Sequence, residues 1–221
     1  MSQSFTNLYL IFYNTFMFFG WVYFFILSFL IFFISQEIEE SYSNSILYLE
    51  ILQYGASLEI IHSILKLVRA PLITTIIQVL SRIIIVILLQ IYPDNVSINY
   101  LLLSFAWSIS EIVRYPFYIL NSLGKLINKD NLIPYFLLWA RYSFFIVLYP
   151  IGVSGEILTI LFSRPELVKY STKYININYV IYGIICLYIP GLTMLYTHLL
   201  KQRKKALNPK VQKIEKKNPI K

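Results

Sequence analysis

Long apolar runs recur along this chain, and they constrain its fold more than any motif does. Residues 8–34 and 179–200 contain no Asp, Glu, Lys or Arg, and residues 71–92 contain only Arg82. Each is long enough to cross a bilayer as a helix, which takes about 20 residues. The sequence is 57% hydrophobic, against roughly 45–50% in soluble domains. The expected fold is an all-α membrane protein, a bundle of six transmembrane helices over residues 1–200. The spans are expected at about 8–34, 46–65, 71–92, 98–120, 133–162 and 179–200, with a turn at QEIEESYSNS between the first two.

Charge is concentrated at one end. Residues 201–221 hold nine Lys/Arg and one Glu, whereas residues 1–200 hold ten basic and ten acidic residues. A basic tail beside a membrane helix sets topology and touches anionic lipid. It contains no aromatic residue on which a base could stack, so nucleic acid is not an expected partner. With six spans, Lys66, Arg69, Lys125 and Lys129 fall on the same side as this tail, and the first and third loops lack Lys and Arg. Only Arg164, Lys169 and Lys173 oppose the pattern. Cytoplasmic loops carry the basic excess, so both termini are expected to be cytosolic.

The single cysteine, Cys186, allows no internal disulfide, and the two histidines lie in different segments. No HExxH, CxxC or phosphate-loop pattern is present. The residues after Cys186, LYIPG, lack the arginine that a cysteine phosphatase would use on phosphate. No metal or redox cofactor is expected.

The chemistry has few places to be. Within the expected spans the charged residues are Glu59, Arg82, Glu111, Arg114, Arg141 and Glu156, with Glu50 near an end. Intramembrane charges are costly and are tolerated when paired. Glu111 and Arg114 stand three apart on one helix face. Gln78 and Arg82 stand four apart, and both are expected to point inward. Tyr149 and Glu156 stand seven apart in YPIGVSGE, close to two turns and about 10.5 Å of rise. Both can face one cavity, and Pro150 is expected to break or kink the helix between them. A phenol and a carboxyl so placed suit acid–base chemistry at neighbouring substrate atoms.

At these residues the sequence resembles the very-long-chain 3-hydroxyacyl-CoA dehydratases, also called protein tyrosine phosphatase-like proteins. The resemblance runs in order over about residues 7–207. YLIFYNTFMFFGW is similar to the family's first helix and LEIIHSILKLVRAPLITTIIQVLSR to its second and third. WSISEIVRYPFY is similar to the fourth, RYSFFIVLYPIGVSGE to the fifth, and YTHLLKQRKKAL to the closing segment. Lys66 and Ala70 depart from it, standing where the family usually has glycine and serine.

The resemblance implies loss of water from a (3R)-3-hydroxyacyl-CoA to give a trans-2-enoyl-CoA, the third step of fatty-acid elongation. It implies Tyr149 and Glu156 as catalytic residues, with Glu59, Gln78, Arg82, Glu111, Arg114, Arg141 and Gly152 in support. One assignment has Glu156 protonate the leaving hydroxyl while Tyr149, activated by Arg114 or Arg141, takes the α-proton; the reverse assignment is equally open. The resemblance further implies an endoplasmic reticulum membrane, a CoA thioester substrate whose phosphates meet the basic loops, and partner enzymes of the cycle: a condensing enzyme, a ketoacyl reductase and an enoyl reductase. The alternatives are an inactive scaffold of the same complex and a transporter, the latter without support from an inverted repeat.

Overall fold

The computed structural model describes residues 3–68, 70–129, 132–172 and 175–208. Arg69, Lys173 and residues 209–221 of the basic tail lie outside the described residues. Among the described residues the chain is helical, without strands. The helices are α1 (Gln3–Ser35), α2 (Ile38–Ala56), α3 (Leu58–Ile64), α4 (Leu72–Ile91), α5 (Ile98–Leu126), α6 (Tyr135–Arg141), α7 (Phe145–Leu167) and α8 (Ile177–Leu207). Short 3-10 turns follow α4 and α7. Four segments are long and apolar enough to cross a membrane: Gln3–Ser35, Leu72–Ile91, Tyr135–Tyr170 and Ile177–Leu207.

Helix α5 is the axis of the bundle. It packs against α1 on one side and α7 on the other, while α4 packs against α2, α3 and α7. Met17, Trp21 and Phe24 of α1 meet Leu103 and Tyr100 of α5 in the core. Polar side chains lie between helices. Ser41 donates to Ser28 O at 2.8 Å, the Ser45 and Tyr100 hydroxyls meet at 2.6 Å, and Tyr42 donates to Leu89 O at 2.8 Å. Small and hydroxylated residues at helix contacts are how membrane bundles pack, because lipid gives apolar side chains no reason to leave it. The outside is correspondingly greasy: Phe12, Phe16, Ile73, Ile77, Leu187 and Met194 are all exposed.

Three helix boundaries differ from the sequence reading, each for a local reason. The acidic stretch expected as a turn is mostly the first part of α2. The reversal is confined to Gln36 and Glu37, with Gln36 in the left-handed region at φ 60° and its amide donating to Phe33 O at 2.7 Å. Glu39 and Glu40 then fall in the first turn of α2, where the helix dipole favours negative charge. The second expected span is divided at Ser57, whose N–H bonds three residues back to Tyr54 O at 3.0 Å.

The third difference concerns Pro150. The helix does not break there. It breaks at Tyr142–Phe144, where Ser143, Ile146 and Val147 all bond three residues back instead of four. Pro150 deprives one carbonyl, that of Ile146, of its helical donor. Tyr196 of α8 faces that carbonyl, its hydroxyl donating at 3.4 Å. The carbonyl that the proline frees therefore keeps a donor.

Candidate active site

Helix α7 is antiparallel to α8, and α7 together with the turn before it is fastened to α8 at four heights. Arg164 donates to Asn178 Oδ1 at 2.8 Å, Tyr188 donates to Glu156 Oε2 at 3.0 Å, Tyr196 donates to the Ile146 carbonyl, and Arg203 donates to Ser143 Oγ at 3.1 Å. On its other side α7 approaches α5 closely at two glycines. A Cβ at Gly155 would lie 2.9 Å from Leu103 Cγ and 3.0 Å from the Asn99 carbonyl oxygen. A Cβ at Gly152 would lie 3.3 Å from Ala106 Cβ and 3.8 Å from two atoms of the Trp107 indole. These contacts bring the Glu156 turn of α7 against Trp107 of α5.

Tyr149 and Glu156 both lie on the continuous part of α7, and both are half-buried. They stand seven residues apart, about two turns, and so share nearly the same side of the helix. Each lies within electrostatic reach of the other, and Tyr188 lies within reach of both. Arg82, stacked 5.1 Å over Trp107, also reaches Glu156 electrostatically. The surroundings of the Glu156 carboxyl are thus drawn from α4, α5, α7 and α8. Two open hollows lie elsewhere. One of about 590 Å³ is lined by Ser63, Lys66 and Ala70, and one of about 350 Å³ by Asp94, Ser97 and Phe162. Neither is lined by Tyr149 or Glu156, which sit at the α7–α8 seam and not in either hollow.

The other charged residues form a ladder across the bundle. Arg114 grips Glu59 through two bonds, 2.8 and 2.6 Å, and donates from Nε to Glu111. Arg82 donates to the other oxygen of Glu111. Tyr115 donates to Glu59 at 2.9 Å. The sequence pattern anticipated the pairing within α5; the links from α3 and α4 exist only in the fold. Arg141 ends α6 and is turned to Tyr118, whose hydroxyl is 3.5 Å away. Neither Arg114 nor Arg141 spends these bonds on Tyr149. Gln78, expected to point inward, is exposed on α4; the helix turns enough between it and Arg82 for only the longer side chain to reach α5. Two residues of the cluster carried no signal of their own. Tyr188 is one of 19 tyrosines, and Trp107 is one apolar ring among many. His62 packs edge-on to Tyr13 and meets the Tyr9 hydroxyl at 2.9 Å, well inside the α1–α3 contact.

Fold and site together define a polytopic helical protein in which a ladder of ion pairs stands beside one carboxyl served by a phenol. A family model described as protein tyrosine phosphatase-like protein, PTPLA, matches residues 53–209, which include Glu59, Arg82, Arg114, Tyr149, Glu156 and Tyr188. The chain is 42% identical over 171 residues to "Very-long-chain (3R)-3-hydroxyacyl-CoA dehydratase hpo-8" of Caenorhabditis elegans, covering 72% of this chain and 76% of that protein. It is 38% identical over 175 residues to "Very-long-chain (3R)-3-hydroxyacyl-CoA dehydratase 1" of Canis lupus familiaris, covering 74% and 68%. It is 42% identical over 153 residues to "Probable very-long-chain (3R)-3-hydroxyacyl-CoA dehydratase" of Schizosaccharomyces pombe, covering 66% and 67%. The chain belongs to the protein tyrosine phosphatase-like, PTPLA, family. No solved structure matches it.

Proposed function

We propose that this protein is a hydro-lyase that removes water from a very-long-chain (3R)-3-hydroxyacyl-CoA to give the trans-2-enoyl-CoA, within the fatty-acid elongation cycle. The names of its relatives support the reaction. The observation that carries the site is Glu156. It is an intramembrane carboxyl held by a hydroxyl, with no ion pair among the described residues, two turns along one helix from Tyr149.

Dehydration needs a base at C2 and an acid at the C3 hydroxyl. The C2–H electrons become the C2=C3 bond, the C3–O bond breaks, and the hydroxyl leaves as water with the donated proton. Arg114 and Arg141 are committed to Glu59, Glu111 and Tyr118, so no guanidinium bond supports a phenolate at Tyr149. Tyr149 thus rests as the neutral phenol and gives its proton to the departing hydroxyl, Glu156 takes the proton from C2, and the proton on Glu156 then returns to the transient phenolate to reset the site. The thioester group enters from the cytosolic end, where Lys66, Arg69, Lys125 and Lys129 meet the CoA phosphates, and the acyl chain lies along the apolar helices. In this reading the four long apolar helices are joined as spans by α2–α3 and α5, giving six crossings with both termini cytosolic, in the endoplasmic reticulum membrane beside the other elongation enzymes.

The test uses the full chain purified in detergent with a long-chain 3-hydroxyacyl-CoA. Turnover to the enoyl-CoA is expected in the parent. Tyr149→Phe and Glu156→Ala should each abolish it while size-exclusion behaviour is unchanged. Full turnover by both variants would remove the proposed site. A parent that binds the substrate without converting it would make the protein a scaffold. Tags at either end that are protected from protease in sealed microsomes would overturn the topology.

A further inference from the structure

The Glu156 carboxyl has two oxygens; a phenol from α8 donates to one of them, and the Trp107 indole of α5 stands beside the carboxyl. Tyr188 donates to Oε2 at 3.0 Å from a different helix. The bond crosses the seam between α7 and α8, and it is the one among the four α7–α8 fastenings that ends on a titratable side chain. The other three hold α8 in place without it. Ile181, one further residue on the α7-facing side of α8, is buried. Other bonds thus also attach α8, and the Tyr188 hydroxyl is spent on a carboxyl that forms no ion pair with the arginine ladder.

We propose that Tyr188 is a positioning residue for the dehydration, one that pins Oε2 so that Oε1 is presented to the substrate. The proposal rests on the reading of Glu156 as the group that moves the proton. An unpinned carboxyl on a flexible side chain samples several rotamers, and proton transfer requires the acceptor within hydrogen-bond reach of the proton it takes. A donor on Oε2 removes that freedom. It also stays in contact with the carboxyl through the transfer, so its hydrogen-bond strength enters the rate of the chemical step. Binding of the CoA thioester does not use it. The signature of Tyr188 is therefore a loss in kcat with little change in KM, which is how an interaction that matters mainly in the transition state behaves.

The experiment compares Tyr188→Phe, Glu156→Ala and the parent as full chains in detergent, with the same long-chain 3-hydroxyacyl-CoA. Tyr188→Phe is expected to lower kcat by about tenfold to a hundredfold, the range for losing a hydrogen bond to a charged group. KM should stay within twofold of the parent, an effect of under about 0.5 kcal/mol. A second variant, Tyr188→3,5-difluorotyrosine, keeps the packing and alters only the acidity of the O–H. It is expected to shift the pH–rate profile, a readout that a merely structural phenol would not move, and it decides the matter if the phenylalanine variant does not fold. An inactive Glu156→Ala protein alongside a fully active Tyr188→Phe protein overturns the proposal and leaves the site standing. A Glu156→Ala protein with full turnover overturns both. An unshifted profile in the fluorinated protein also overturns the role of Tyr188.

Discussion

The carboxyls of this bundle live in two different settings. Glu59 and Glu111 stand in the ladder between α3, α4 and α5, each bound by at least one guanidinium. Glu156 stands at the seam between α7 and α8 and is bound by a phenol. The difference separates architecture from chemistry. A carboxylate between two arginines is held in one protonation state, because losing its charge would strand theirs in a poorly solvated place. It fastens helices and is useless for moving protons. A carboxyl on a neutral hydroxyl has no such commitment, because gaining a proton strands no partner charge. The chain has the same residue type in both settings, and the partner decides which work it does.

Five substitutions would break or sharpen this contrast. The largest effect is expected from Glu156→Gln, which keeps size and hydrogen bonding but cannot take a proton. Turnover should fall by about a thousandfold or more, within the range of acid–base contributions, while thermal unfolding in detergent stays where it was. The reverse pattern belongs to the ladder. Arg114→Ala leaves Glu59 without a guanidinium and Glu111 with Arg82 alone, and should cost about 3–5 kcal/mol of stability, read as an early unfolding transition. If Arg114→Ala unfolded normally, the ladder would not be the fastening described here.

Smaller effects test how α7 is held. Gly155→Ala pushes a methyl against Leu103 and the Asn99 carbonyl. It should cost about 1–3 kcal/mol by overpacking, and Gly152→Ala less, since its nearest neighbour is a methyl 3.3 Å away. Equal melting shifts in the two variants would contradict the geometry. The smallest effect is expected at Lys66, which sits in the left-handed region at φ 54°. Lys66→Gly should stabilise the protein by about 1 kcal/mol, since side chains are disfavoured there. That conformation also gives a physical meaning to the departure at this position: glycine occupies it without strain, and lysine does not.

Much of this was legible before the fold. Apolar run length marked the helices, and the few charges inside them marked both the ladder and the seam. Glu111 and Arg114 were readable as partners because helical periodicity is local. The Glu59 and Arg82 links to them were not, because they depend on where α3 and α4 come to rest. Pro150 misled for a related reason. Its disruption of the ladder of backbone bonds is a local property, but Tyr196 answers it from 46 residues further along the chain. Tyr188 was invisible in the same way, since nothing in an apolar helix distinguishes one phenol from its neighbours until another helix places a carboxyl opposite.

The fastening of α8 to α7 has a consequence for biosynthesis. Chains are made from the N-terminus, and earlier segments fold as they emerge. Every other described helix has been made before α8 leaves the ribosome. Until then Ile146 lacks its stand-in donor and Glu156 lacks its phenol. The seam between α7 and α8 is thus unfinished until α8 arrives to supply both hydroxyls.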